Sequence, residues 1–506
     1  MNIKKSYKIF TTFIENYLVF IVLVLFFICF TGHSMLTHYS FNSHSWDLGI
    51  YAQQTWLYSQ FAGFYNTVRG TNLLSDHFGI ILYLFAPFYR LFPRAETILV
   101  IQALLVVASG YPLYLTTKKL LKSGLAGSVI VFAYLSSSGI RQAIDFDFHL
   151  ATVAVFFYAF FLYFWSNKKY IWSIVFAILA MLCKEDVPLF IAFTALGLVA
   201  QDIKNKHDFR QSLALLVGSF ASFLIIMKAM LMIPATSANF NYFSFSYLGS
   251  SYGDVLKNFI NHPISIIKKV WDGFIENGLK VSTFKTYFAG FWYLPLLSID
   301  IMIFAIPFFI TKFVSDRQPQ WGLNGQYAVI GMYLLALATA YTVFRITRHF
   351  KKWQKPLVIA WSLVFFAFTF NYNFLMVGRD FWDSLNSQRW QSTKQFDGLQ
   401  KIIKLIPASA SVGAQEQVVS HVASRKEIYL LRCPYCLVPN ENDFDYILLD
   451  ERFGLGFAGP SKEDIQTVLK ELVVQTDSDT TRNFQIIAHD QFEGSNTYLL
   501  KNLKTN

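Results

Sequence analysis

Three short stretches of this sequence carry acids in patterns that suit proton transfer or cation binding. Asp47 stands in SWDLGIY, Asp145, Asp147 and His149 stand in RQAIDFDFH, and Lys184, Glu185 and Asp186 are consecutive. A carboxylate can take a proton from an acceptor hydroxyl as general base, or share a divalent cation such as Mg or Mn. An Asp two residues from a His in an extended chain puts both side chains on one face, where Asp147 and His149, with Asp47, are candidates to hold such a cation. Asp76-His77 follows the same logic. Each has a plainer reading beside it: a solvated loop for Asp47 and Asp76-His77, a self-neutralising turn for Lys184, Glu185 and Asp186. Position gives the three acidic motifs weight, because each falls at the end of an apolar run, where charge near lipid is costly and tends to be functional.

The elements that position these residues follow from composition. Of 506 residues, 54% are hydrophobic and 15% charged, and Phe alone accounts for 53. That is too little charge to cover a water-soluble protein of this length and too much apolar content for disorder, so the chain reads as an α-helical polytopic membrane protein. Residues 17–35 are long enough to span a bilayer and follow Lys4, Lys5 and Lys8, so the N-terminus is expected in the cytoplasm, with no small-residue cleavage site behind it. Residues 36–95 read as an external loop whose amphipathic part is interrupted by Pro87 and Pro93. Apolar runs at 96–117, 123–140, 150–165, 170–183, 187–201 and 211–233 then alternate in direction, and the basic residues at 118–122, 167–169 and 204–210 all fall on one side. Residues 234–284 read as an external segment containing an interfacial helix. Residues 285–314 read as one inward span or a helical hairpin broken near 295–298; charge favours the hairpin, because it leaves the dense basic loop after the run 327–346 in the cytoplasm. A last span at 356–377 delivers the C-terminus outside, for about 11 transmembrane or re-entrant helices. The net charge of +11 is then accounted for by cytoplasmic loops, which argues against nucleic acid as a partner.

From residue 380 to 506 charges, prolines and short alternating runs replace apolar blocks, and a small extracytoplasmic α/β domain is expected after the membrane domain 1–379. ASVGAQ, EIYLL, FDYILLD, NFQIIAHD and TYLLKN read as strands; QVVSHVASR and SKEDIQTVLKELVVQ read as helices, the second capped by Ser461. Cys433 and Cys436 have CxxC spacing and, in an oxidising compartment, are expected to form a local disulfide rather than a zinc or redox site.

DLGIYAQQTW, the DHF preceding an apolar stretch, the DFDFH segment and the KED triplet occur in an order that resembles the uncharacterised bacterial membrane-protein family DUF2079, over roughly residues 30–450. The family often has a His-Tyr pair where this chain has Gln326 and Tyr327. That family is in turn similar in layout to the GT-C glycosyltransferases, such as the protein O-mannosyltransferases and aminoarabinose transferases. The resemblance implies a bacterial cell-membrane location and a sugar donor carried on a polyprenyl phosphate or diphosphate. It implies Asp47 as the catalytic base and Asp76, His77, Arg141, Asp145, Asp147, His149, Lys184, Glu185, Asp186, Gln326 and Tyr327 as substrate-binding residues. Arg69, Arg141, Lys184, Lys268 or Lys269 would hold the lipid phosphate. The acceptor would be a cell-envelope glycan, lipid or protein. A transporter or flippase of lipid-linked substrates using the same acids, or a non-catalytic scaffold with cell-envelope protein partners, are the alternatives. Transporters commonly carry internal repeats and the sequence shows none, which ranks the transferase first.

Overall fold

The structure is a computed structural model describing residues 3–234, 243–322, 325–383, 385–431, 444–455, 461–473 and 483–504. It opens with the long helix α1 (Ile3–Tyr39). A polar stretch follows with α2 (Ile50–Ser59), the two-stranded ribbon β1 (Tyr65–Asn66) and β2 (Thr71–Asn72), α3 (Leu73–Asp76) and α4 (Leu82–Leu91). The next helices are α5 (Glu96–Ala108), α6 (Gly110–Leu121), α7 (Gly124–Ser136), α8 (Ser138–Asp145), α9 (Leu150–Ser166), α10 (Tyr170–Met181), α11 (Val187–Lys204) and α12 (Arg210–Met232). Then come α13 (Tyr252–Asn261), α14 (Pro263–Ile275), α15 (Gly278–Ala289), α16 (Ile299–Phe313), α17 (Gln318–Trp321), α18 (Val329–Arg348) and α19 (Gln354–Thr369). Among the described residues six helical stretches are long and apolar enough to cross a bilayer: Thr12–Tyr39, Glu96–Leu121, Val187–Lys204, Arg210–Met232, Gln326–Arg348 and Gln354–Met376. The apolar helices α7, α9 and α10 are shorter.

The chain divides into two compact units. One comprises Met1–Thr31, Gln102–Leu231 and Asn239–Asp383; the other comprises Gly32–Ile101, Met232–Ala238 and Ser384–Asn506. In the first, α18 is the buried axis, with every residue from Val329 to Ala340 inside. Its glycine Gly331 faces Phe308 and Phe309, while Gly197 on α11 faces Phe304, so α16 seats its aromatic rings on two helix surfaces that lack a Cβ. The expected hairpin is present. Lys280 at the start of α15 donates to the carbonyls of Phe313 (2.8 Å) and Ser315 (3.0 Å) at the end of α16, and a 3₁₀ turn at Leu294–Leu297 joins the two helices. The single interfacial helix expected within 234–284 is instead three helices. Pro263 starts α14 because it cannot donate to the preceding turn, and Asn277 starts α15 by accepting from the Lys280 amide at 3.1 Å.

The two ends of this unit differ. Leu121, Ala126, Val343 and Val358 form one apolar cluster, which gathers the ends of α6 and α18 with the starts of α7 and α19. At the same end Lys119 reaches Asn167 at 2.9 Å, Gln201 donates to the Asp300 carbonyl at 2.9 Å, and Arg345 pairs with Asp300. The basic residues near 118–122, 168–169, 204 and 345–355 therefore share one end, and the breaks that carry Asp145, Asp147, His149 and Lys184, Glu185, Asp186 fall at the other, about 30 Å away along α18 and α11.

In the second unit a five-stranded sheet has the order β4-β3-β5-β7-β6. Strands β3 (Val412–Ala414), β4 (Ile428–Leu430) and β5 (Tyr446–Asp450) run parallel, and β6 (Phe484–Phe492) and β7 (Ser495–Asn502) close it as an antiparallel hairpin. The helix Lys462–Leu472 starts at Ser461, whose hydroxyl accepts from the Asp464 amide at 3.1 Å, and packs Ile465, Val468 and Leu472 on Ile447, Leu449 and Leu500. The expected helix at 417–425 is shorter, one α-turn at Glu416–Val419 and a 3₁₀ turn at Ser420–Val422. The segment after α1 is sewn to this sheet: Thr67 exchanges two hydrogen bonds with the Ile428 backbone (2.7 and 3.0 Å), Gln53 donates to the Lys426 carbonyl at 3.0 Å, and Tyr89 meets Ser424 at 2.8 Å. His421 is stacked between Phe41 (3.8 Å) and His38 (3.9 Å). Cys433 and Cys436 lie outside the described residues; Cys29 and Cys183 are free thiols.

Two predictions follow from this packing. Gly197→Leu and Gly331→Leu each push a branched side chain into α16 and lower stability by about 1–3 kcal/mol, measured by thermal unfolding in detergent. His421 is held well below its ordinary value of 6.5 by burial and by the His38 ring beside it. The unfolded chain therefore takes up a proton that the folded ring refuses, and stability that is full above 6.5 is lost as pH falls below it. Between about pH 7.5 and about pH 5.5 the unaltered protein should lose about 1 kcal/mol more stability than His421→Phe, which keeps the stack, measured by denaturant unfolding at the two values.

Candidate active site

The acidic breaks of the first unit converge on a lysine that the sequence reading passed over. Lys312, near the end of α16 and 7% exposed, places its ammonium 3.2 Å from Asp186 and 4.6 Å from the centre of the Tyr327 ring. Lys184 lies 2.7 Å from Glu185, 3.8 Å from Asp186 and 5.6 Å from the same tyrosine ring. Asp186 is thus shared by two ammonium groups that both face Tyr327. Burial opposes the charge on Lys184, but the Asp186 and Glu185 carboxylates outweigh it and hold the lysine well above its usual value. His149 stacks edge-on against Tyr327 at 5.6 Å, which joins the DFDFH segment to the cluster. A small pocket bounded by Ala151, Asp186, Phe190, Lys312, Tyr327 and Ile330 has a volume of about 10 Å³, room for about one water. The side-chain carbonyl of Gln326 is buried with no donor among the described residues.

The DFDFH turn is held from α5. Gln102 donates to the Asp147 carbonyl at 2.7 Å and accepts from the His149 amide at 2.8 Å. Asp147 sits at φ +82, a left-handed backbone that costs a non-glycine residue about 1–3 kcal/mol and persists only where neighbours fix it. His149 begins α9, and its Nδ1 accepts from the Ala151 amide at 3.0 Å, so its neutral ring carries the proton on Nε2. Asp145 is exposed. Arg141 is buried, donating to the carbonyls of Ser136 (3.0 Å) and Val377 (3.2 Å); burial brings it down to about 10 against the pull of Asp145, so it stays charged at neutral pH.

In the second unit Asp47 occupies a π-helical turn, Ser45–Gly49, that runs into α2. Wide turns of this kind re-aim side chains and recur at functional positions. Trp46 beside it lies under the Arg69 guanidinium at 5.4 Å. Arg69 makes a two-pronged pair with Asp76, at 2.7 and 3.2 Å, and His77 is 4.0 Å from the same carboxylate. Asn66 braces the arrangement, accepting from the Arg69 amide and donating to the Ile50 carbonyl, both at 2.9 Å. Both oxygens of Asp76 are thus engaged by Arg69. Lys268 and Lys269 are exposed on α14.

Among the described residues no three His, Cys, Asp or Glu side chains are grouped as a metal ion requires. The expected set Asp47, Asp147 and His149 is accordingly not assembled as a metal centre.

Residues 37–486 match the family described as Predicted membrane protein (DUF2079). The chain belongs to this family. No curated protein matches it. Among solved structures, this DUF2079 protein is similar to ArnT from Cupriavidus metallidurans bound to undecaprenyl phosphate, with a TM-score of 0.57 and 12% identity over 96% of this chain and 98% of that one. The apo state of that ArnT aligns with a TM-score of 0.49 at 12% identity. The fold of this DUF2079 protein is therefore ArnT-like, with a small sheet domain in its C-terminal part. Lys312 and Gln102 had one signal in the sequence, a polar residue inside an apolar helix.

The Arg69–Asp76 pair is testable in isolation, since both side chains are at most 10% exposed. Arg69→Met removes the two-pronged partner of a buried carboxylate and should cost about 3–5 kcal/mol, whereas Arg69→Met with Asp76→Leu should cost less than the sum of the single changes. A double-mutant cycle on denaturant unfolding measures the difference.

Proposed function

We propose that this protein is a glycosyltransferase that moves a sugar from a polyprenyl-phosphate carrier to an extracytoplasmic acceptor in the bacterial cell envelope, a glycan, lipid or protein. The observation that carries the proposal is the match of fold along nearly the whole of both chains to ArnT, a protein bound to undecaprenyl phosphate. Asp47 takes the proton from the acceptor hydroxyl. The acceptor oxygen then bonds to the anomeric carbon of the sugar as the bond from that carbon to the phosphate oxygen breaks, and the electron pair leaves on the polyprenyl phosphate. Negative charge that develops on that phosphate needs cations already in place, a role for Lys184, Lys312 and Arg141. Asp145, Asp147, His149, Glu185 and Asp186 orient the sugar, and the unmatched Gln326 carbonyl accepts from one of its hydroxyls. The pocket beside Tyr327 must open to admit a sugar, since its volume of about 10 Å³ holds no more than water.

Orientation is part of the proposal. Basic loops are retained in the cytoplasm, so the end bearing the residues near 118–122, 168–169, 204 and 345–355 faces inward with the N-terminus, and the C-terminal domain faces outward.

The test is the full chain in liposomes with a lipid extract containing polyprenyl-phosphate sugars, scored by release of polyprenyl phosphate. Asp47→Asn should lower the rate about 10²–10⁴-fold while leaving lipid retention unchanged. No release by the unaltered protein, or equal release by Asp47→Asn, would overturn the proposal.

A further inference from the structure

The basic end of the first unit carries an apolar groove that the proposed reaction does not use. Leu294, Val343, Ile346, Phe350, Trp353 and Trp361 line it, with a volume of about 360 Å³, within the range of small-ligand pockets. It opens where the end of α18, the start of α19 and the turn Leu294–Leu297 meet. Its one hydroxyl, Thr347, is spent on the Val343 carbonyl at 2.8 Å. Walls of this kind offer water too few partners to hold it, and hydrocarbon fits them.

The rim is of the opposite character. Arg348, Lys351, Lys352 and Lys355 are all exposed and alternate with the groove residues Phe350 and Trp353 on the turn between α18 and α19. No Asp or Glu occurs between Arg345 and Lys355, and Asp300, an acid at the same end of the unit, is already paired with Arg345. Trp353 and Phe350, 67% and 54% exposed, suit the headgroup level of a bilayer, where aromatic rings concentrate.

An apolar slot under a cationic rim, in a membrane protein, has the chemistry of an anionic phospholipid. We infer that this groove is a binding site for one: an acyl chain lies against Val343, Ile346 and Trp361, and the phosphate meets Arg348, Lys351, Lys352 and Lys355. Basic pockets between transmembrane helices take anionic headgroups in this way. Exchange of this lipid does not enter the proposed sugar transfer, so the two proposals stand or fall separately.

Native mass spectrometry of the full chain, with phosphatidylglycerol or phosphatidylcholine of identical acyl chains added, tests the site. The expected result is retention of phosphatidylglycerol over phosphatidylcholine, lowered about a hundred-fold in Lys351→Gln/Lys352→Gln/Lys355→Gln. Ile346→Trp, at a position 48% exposed where folding is little affected, should fill the slot and lower retention as well. Equal retention of the two lipids, or retention unchanged in the triple variant, would overturn the site. So would loss in the triple variant with none in Ile346→Trp, which would mean a charged surface without a groove. Competition by undecaprenyl phosphate as effective as by phosphatidylglycerol would assign the groove to a different occupant.

Discussion

A charged side chain among apolar helices has to bring its counter-charge with it, and in the first unit that requirement decides which helix ends meet. Moving an ammonium out of water costs several kcal/mol, which is recovered only if a carboxylate is close and well placed. Lys312 is carried by α16, Asp186 and Lys184 by the break before α11, and Tyr327 by the turn before α18. Separating α16 from the break before α11 takes the Asp186 carboxylate from the buried Lys312. The break before α9 joins them through His149 and Tyr327, while Gln102 fixes that break from α5. Packing of the bundle and geometry of the acids are therefore one problem, solved at one end.

The same helices finish in a different medium. Basic residues at 118–122, 168–169 and 345–355 sit on loops or helix ends where water and lipid headgroups solvate them, so they need no carboxylate; of those near 345–355, Arg345 alone is tied to Asp300. This asymmetry explains why a chain with a net charge of +11 still places Glu185 and Asp186 beside its buried Lys184 and Lys312. Where solvation is available, charge is left unpaired and signals orientation; where it is not, charge is paired and becomes available for chemistry.

That contrast also governs what could be read in advance. Apolar runs and basic clusters extend over many residues, so the spans near 17–35, 96–117, 187–201, 211–233, 327–346 and 356–377 reappear in the structure, as do the five expected strands of the C-terminal sheet. The break at 295–298 was visible for the same reason, through the charge balance it implies. Lys312 and Gln102 were not, because one polar residue barely changes the average of an apolar window. The pairing of Arg69 with Asp76 was hidden too, since it depends on a ribbon turning at Gly70, whose φ of +73 only the fold makes evident. The segment 234–284 misled by its helical periodicity, which survives a break at Pro263 and another at Asn277.

What holds the helices together is not the force that drives them out of water. In lipid the surrounding tails are as apolar as the side chains, so association rests on close packing and buried polar contacts. This bundle uses two devices for close packing. Glycines at Gly197 and Gly331 let the rings of Phe304 and Phe308 approach helix backbones, and runs of aromatic rings zip neighbouring helices, as Phe160 does with Phe176 at 5.1 Å between α9 and α10. An aromatic fraction of 18% is then part of the packing design rather than a by-product of hydrophobicity. Rigid, large-area contacts of this kind keep the ends of α9, α11, α16 and α18 in register, and only ends held in register can share Asp186 between two lysines.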